Sequence, residues 1–247
     1  MKKLSKNYEK KSTPIRAQHR VQPLVAIKAL RRLLQDPEQT EEVFVIVRAL
    51  TGRSVLNAFN RFKQAEIGQA ILNEQRNLVS VLENRDALRA MPQGSLGRAY
   101  LNFVEKESIS AAGLIEASNR EMDFIDPDFE RFANRMRDQH DLWHVLTGYG
   151  RDTFGEACLL AFTYAQTQNR GIGFIALAGM FKLTKALGSG VRSAMWQAYR
   201  AGQRTAWLPA EDWESRLHEP LESVRSTLNI PAPEQYRAVL AGLPALV

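Results

Sequence analysis

His140-Asp141-Leu142-Trp143-His144, followed after eleven residues by Glu156, concentrates metal-binding side chains on a stretch that otherwise reads as core. Two of the chain's four histidines stand one helical turn apart. From Asp128 onward the apolar positions run Phe129, Phe132, Ala133 and Met136, and His140 and His144 continue the stripe at helical spacing. Both imidazoles are therefore expected to point inward. A histidine pair at i and i+4 can converge on one ion from a single helix face, and Asp141, three residues before His144, can reach it as well. Two imidazoles with carboxylates make a mixed nitrogen and oxygen site that suits zinc, iron(II) or manganese, so ligand type alone does not choose among them.

Glu156 needs a second helix. On one continuous helix it would lie roughly 18 Å along the axis from His144, too far for coordination bonds of about 2 Å. Gly148, Gly150 and Gly155, with Asp152 and Thr153 among them, supply a turn, and a helix beginning near Phe154 returns Glu156 toward the histidines. Simpler roles stand beside ligation. Thr153-Phe154-Gly155-Glu156 fits a capping box, in which the glutamate bonds back to the cap residue, and on that pattern alone capping is favoured over ligation. Asp141 can pair with Arg137 one turn earlier, an exposed interaction worth about 0.3–0.5 kcal/mol.

The elements that must position these groups read as helices nearly throughout, with glycine and proline at the turns and no alternating runs that suggest a sheet. An all-α single domain is expected, of many helices, with the metal site between two of them. Helices are predicted over Pro23 to Gln35, Pro37 to Leu50, one or two over Ser54 to Glu83, and one capped by Ser95 whose face is Leu96, Tyr100, Phe103 and Val104. A short helix near Ser110 to Ser118 follows, then the helix from Asp128, its partner from Phe154 to Thr167, an Ala/Gly-rich segment from Gly171 to Leu187, and a helix after Gly190 through Met195, Trp196 and Tyr199. The end of the chain is amphipathic, with stops at Pro209, Pro220 and Pro231. The small residues of Gly171 to Gly190, interleaved with Ile172, Phe174, Ile175, Leu177, Met180 and Phe181, suit close helix packing or an apolar lipid groove.

At 247 residues, 45% hydrophobic and 24% charged, the chain can close one large core. Its net charge of +6 is unevenly placed: residues 1–32 hold ten Lys or Arg against Glu9, a local +9 that leaves −3 for everything after. Residues 1–20 are expected to form a basic flexible tail and 21–247 the helical domain, which lacks the basic stripe of a nucleic-acid reader. The tail suits either weak docking on anionic headgroups, at about 1 kcal/mol per basic residue near the surface, or a solvated, disordered start. It has no apolar h-region of a signal peptide. The longest apolar run, Ile172 to Phe181, is far short of the roughly 20 residues that span a bilayer. The one cysteine, Cys158, permits no internal disulfide, agrees with a reducing compartment and reads as a small core residue.

The order of motifs resembles the coenzyme Q (ubiquinone) biosynthesis protein four family, whose metal motif HDxxH-x11-E is matched without a gap by His140, Asp141, His144 and Glu156. The resemblance extends through Gly94-Ser95-Leu96-Gly97-Arg98-Ala99-Tyr100, Arg135-Met136-Arg137, Trp143, Leu146-Thr147-Gly148, Gly202-Gln203-Arg204, Pro220-Leu221 to Arg225, and Leu228-Asn229-Ile230. It covers about residues 20 to 231. The family usually has a Gly-Leu-Pro-like turn where this chain reads Gln168-Asn169-Arg170-Gly171, and the basic tail has no counterpart there.

The resemblance implies an all-helical, membrane-associated protein that binds polyprenyl lipid and carries a divalent metal, usually zinc, on His140, Asp141, His144 and Glu156. It links that site to removal of the ring carboxylate of a polyprenylated hydroxybenzoate, with or without hydroxylation of the same carbon. A polyprenylated quinone precursor, a membrane surface, other ubiquinone-biosynthesis enzymes and a second copy in a homodimer are the implied partners. The implied location is peripheral on the inner face of the cell membrane, or on the inner mitochondrial membrane in a eukaryote. Arg137 and Arg98 are weak candidates to hold the substrate carboxylate, each also suited to a structural ion pair. One rival is a lipid-binding scaffold in which the metal only staples two helices. Another is an HD-type phosphohydrolase, suggested by His140-Asp141, but this needs further upstream histidine and downstream aspartate ligands, and His19 lies in the basic tail.

Overall fold

Proline at the first helical position and a period of apolar residues set the first element, α1 (Pro23–Gln35), which buries Ala26 and Ala29 against α2 (Thr40–Thr51). The computed structural model describes residues 21–36, 39–109 and 126–242. The basic tail 1–20, the expected helix start at Pro37 and the short helix near Ser110 to Ser118 lie outside the described residues.

The stretch expected to hold one or two helices after Ser54 divides further, into α3 (Ser54–Gln64), α4 (Glu66–Asn73) and α5 (Leu78–Leu82). Next come α6 (Arg85–Ala90) and α7 (Leu96–Lys106), the latter capped as expected by Ser95, whose hydroxyl accepts from the Arg98 N–H. Then follow α8 (Pro127–Asp138), α9 (His140–Thr147), α10 (Thr153–Thr167), α11 (Arg170–Leu187) and α12 (Gly190–Arg204). Three shorter helices close the chain: α13 (Trp213–Arg216), α14 (Leu221–Thr227) and α15 (Glu234–Ala241). Among the described residues there is no strand, only an isolated bridge between Ser95 and Pro220. The architecture is one all-α domain.

Helix α10 is central. It packs most extensively on α12 and also on α11, while α7 and α9 pack on each other beside it. Trp143, Phe162, Tyr100, Leu142 and Trp213 are almost fully buried in the main core, and Cys158 lies among them with its thiol pushed up by burial, as a core residue should. A second cluster of aromatic rings, Phe59, Phe62, Phe129 and Phe132, joins α3 to α8.

The helix expected to run on from Asp128 through the histidines is interrupted at Gln139, which separates α8 from α9. Gln139 is fully buried and its side-chain carbonyl accepts from the Trp213 indole N–H at 2.7 Å. Nearby, Arg135 forks onto both carboxylate oxygens of Glu214 at 2.7 Å and donates to the Glu211 carbonyl. The C-terminal segment thus fixes the base of α9.

Gln168 takes a left-handed conformation (φ +53°) to end α10. Asn169 starts α11 by accepting from the Gly171 and Ile172 N–H groups. Leu34 of α1 and Ala178, Phe181, Lys182 and Lys185 of α11 line an open groove of about 710 Å³. No helix of the described residues is long and apolar enough to cross a membrane.

Candidate metal centre

Two helix ends and the loop between them build the site. Helix α9 stops at Gly148, whose left-handed backbone (φ +73°) lets its N–H return to the His144 carbonyl at 2.9 Å. Arg225 of α14 takes the next two carbonyls, those of Val145 and Leu146, at 2.8 Å each. Five residues later α10 begins. Its cap is Asp152, which accepts from the Phe154 and Gly155 N–H groups. Its other carboxylate oxygen accepts from the Tyr236 hydroxyl at 2.6 Å, and that hydroxyl accepts from the Gly150 N–H at 3.1 Å. The capping box expected of Thr153 and Glu156 is therefore replaced: the cap lies one residue earlier, the position that would answer it is Gly155, and Glu156 is released from capping.

Glu156 faces the two imidazoles. Its Oε1 lies 3.3 Å from His144 Nε2 and its Oε2 lies 3.8 Å from His140 Nε2. The fold-back required by the spacing is present. On the other side of the His140 ring, Nδ1 lies 3.3 Å from Asp141 Oδ1. One ligand atom from each of His140, Asp141 and His144 falls within 4.8 Å of the others, so the three could hold a metal ion.

The proton inventory of His144 tests whether a cation fits. Its side chain is fully buried, and Nδ1 lies 3.0 Å from the Tyr149 carbonyl, which can only accept. Nδ1 therefore carries the proton and Nε2 presents its lone pair. That nitrogen is buried and meets no hydrogen-bond donor, only the carboxylate of Glu156. Two acceptors aimed at each other call for a positive charge between them, either a divalent ion or a second proton. The residues present fit a metal.

Charge distribution agrees with a site that holds a cation. Burial disfavours the charged forms of all three titrating groups, but the surrounding charges outweigh it. The Asp141 hydrogen bond and the charges of Glu156 and Asp141 raise His140 above its ordinary 6.5. The histidines hold Asp141 below its ordinary 3.8 and Glu156 below its ordinary 4.5. In metal-free protein the raised His140 contributes stability below 6.5 that is lost as pH rises through its folded value. The depressed carboxylates contribute above their ordinary values and lose it as pH falls. Metal competes for the same lone pairs, so the gap in melting temperature between metal-loaded and chelated protein should widen from about pH 5.5 to about pH 8. A gap that stays constant over that range would mean that these groups do not bind the metal.

The two arginines singled out by motif make local contacts. Arg98 donates to the Arg89 carbonyl at the end of α6, and Arg137 donates from Nε and Nη2 to Asp138 at 3.0 and 2.9 Å. The pairing of Asp141 with Arg137, the simpler alternative to ligation, is not among these contacts. Supporting residues that sequence reasoning missed are Phe103, stacked on His144 with centroids 5.6 Å apart, the Tyr149 carbonyl, and Tyr236. Phe103 belonged to a predicted helix face, but nothing local tied that face to His144. Tyr236 lies more than eighty residues from its partners and left no local signal.

Residues 10–234 match the model of the family described as coenzyme Q (ubiquinone) biosynthesis protein Coq4. The mitochondrial ubiquinone biosynthesis protein COQ4 homolog of Aedes aegypti is 27% identical over 202 residues, covering 80% of this chain and 71% of the relative. The mitochondrial COQ4 of Yarrowia lipolytica is 31% identical over 172 residues, covering 69% of this chain and 64% of the relative. The fold is shared with a crystal structure from Nostoc punctiforme, described as a candidate ubiquinone biosynthesis protein. That match has a TM-score of 0.63 and 22% identity, over 86% of this chain and 100% of that one. The relatives support a role in coenzyme Q biosynthesis, and with the family model spanning nearly the whole length, the chain belongs to the coenzyme Q (ubiquinone) biosynthesis protein Coq4 family.

Proposed function

We propose that this protein removes the ring carboxylate of a polyprenylated hydroxybenzoate during ubiquinone synthesis, at a divalent metal held by His140, Asp141, His144 and Glu156. The observation that carries this reading is the buried His144 Nε2, without a hydrogen-bond donor and 3.3 Å from the Glu156 carboxylate that also faces His140. Zinc is the favoured ion, with iron or manganese as alternatives for the same donors. When bound, the cation supplies positive charge that stabilises electron density left on the aromatic ring. The bond between ring carbon and carboxylate breaks, carbon dioxide departs, and a proton from solvent takes its place on the ring.

The protein's own contribution is placement. The side chains of His140 and Glu156 are 30% and 33% exposed whereas His144 is closed off, so substrate meets the site on the side of the first two. Asp141 either binds the ion directly or orients the His140 ring through Nδ1. Tyr236 and Asp152 hold the loop that joins the two ligand helices.

A peripheral seat on a membrane belongs to the same proposal: the cell membrane's cytoplasmic face in a bacterium, the inner mitochondrial membrane in a eukaryote. Exposed Leu24 and Ile27 of α1 and Leu177 and Phe181 of α11 support it, with Lys28, Arg31, Lys182 and Lys185 exposed on the same two helices. The curated relatives are mitochondrial by name. That apolar surface also favours the second reading, a scaffold that presents prenylated intermediates to other enzymes or to a second copy of itself.

The deciding experiment is the prenylated-lipid content, by mass spectrometry, of a host lacking the gene and carrying back wild type or Glu156→Gln. Catalysis predicts accumulated prenyl-hydroxybenzoate that wild type clears and a folded Glu156→Gln does not. Equal clearance by the variant would establish the scaffold, and unchanged quinone and precursors in the deletion would remove the pathway assignment.

A further inference from the structure

Arg151 is the one residue of the 150–152 turn with no hydrogen bond or ion pair among the described residues. Its neighbours are both fixed: the Gly150 N–H donates to the Tyr236 hydroxyl, and Asp152 accepts from that hydroxyl and caps α10. The chain at Arg151 is therefore held while its side chain is exposed to solvent. The turn directly joins the helix of His140 and His144 to the helix of Glu156, and the site is open on the His140 and Glu156 side. Arg151 stands seven residues after His144 and five before Glu156, on the short loop between the two ligand helices. By contrast Arg98 and Arg137 are committed to Arg89 and Asp138.

We infer that Arg151 receives the carboxylate of an aromatic acid at the mouth of the metal centre, fixing which end of the ring enters. This rests on the decarboxylase reading above and adds the residue that selects the substrate's charged group. A guanidinium presents a planar fork that matches a carboxylate in two hydrogen bonds, and an unpaired one need not break a protein contact to do so. In water the pairing is weak, but a ring lying over the opening shields it from solvent. The grip is a ground-state one, since the charge it holds leaves as neutral carbon dioxide. Arg151 is thus a substrate-positioning residue whose removal is expected to raise KM and leave kcat near its wild-type value.

The test uses the full chain with its metal in mild detergent and two probes: a farnesyl-bearing 4-hydroxybenzoate and the matching phenol without the carboxyl group. Wild type should bind the acid more tightly than the phenol. Arg151→Gln should lose about tenfold or more for the acid and nothing for the phenol, with metal content unchanged. Arg151→Lys should recover part of the loss. If Arg151→Gln keeps the wild-type preference for the acid, or weakens both probes equally, the assignment of Arg151 is overturned while the decarboxylase reading stands. If wild type itself shows no preference for the acid, the substrate class falls and Arg151 with it.

Discussion

His144→Ala should yield a protein that holds no metal and whose melting temperature no longer responds to a chelator. Every side of the ring is engaged: Nδ1 with the Tyr149 carbonyl, Nε2 toward Glu156, and the face against Phe103. Truncation removes a ligand from the buried side of the site, where no water replaces it cheaply. It also strands the Tyr149 carbonyl, an acceptor whose loss of a partner costs about 1–3 kcal/mol. The space left under Phe103 adds a further loss of about 2 kcal/mol or more. Apart from this, the variant forgoes the stabilisation that a ligand confers on the folded state, which is about 2.7 kcal/mol at a concentration one hundred times its dissociation constant. Elemental analysis of purified protein and melting with and without chelator check the outcome. If His144→Ala retains stoichiometric metal and its chelator response, the ion sits elsewhere.

The inward direction of His144 agrees with the stripe begun by Phe129 and Phe132, whereas His140, just past the interruption at Gln139, stays 30% exposed. The fold-back that returns Glu156 followed from chain length and bond length alone. Helix α1 begins at Pro23 and ends at Gln35 as its pattern predicted, since proline at the first position is a short-range signal. The break at Gln139 left no local signal, and the partner of the Gln139 side chain, the Trp213 indole, lies 74 residues away. Likewise Thr153 looked like the cap of α10, whereas Asp152 caps it, with its second oxygen held by the distant Tyr236 hydroxyl. That Arg98 and Arg137 are taken up by the Arg89 carbonyl and by Asp138 was also beyond the sequence, since it depends on which groups the fold brings to each guanidinium.

Gly155→Val should disable the site as completely as losing a ligand, although Gly155 offers no ligating atom. The first turn of α10 lies directly on the loop that ends α9, and a Cβ at residue 155 would come within 2.1 Å of the Gly150 carbonyl oxygen and 2.7 Å of its nitrogen. Those are backbone atoms, tethered by the Tyr236 hydroxyl, so no flexible side-chain tip can swing aside. Either the loop or the helix start must move, and Glu156, the next residue, moves with it. Overpacking of this kind costs about 1–3 kcal/mol, occasionally more, and valine adds a branched side chain in the same confined space. Since coordination tolerates displacements of only a few tenths of an ångström, as bond lengths of about 2 Å require, even a small shift of α10 separates Glu156 from the histidines. Gly155→Ala should therefore already weaken metal binding at a smaller stability loss, and Gly155→Val should abolish it. Metal titration of both variants, with denaturant unfolding alongside, reads the two effects separately. Normal metal affinity in a destabilised Gly155→Ala would show that the loop yields without moving Glu156, and would shift the origin of the site's geometry from the Gly150–Gly155 contact to the Asp152 cap.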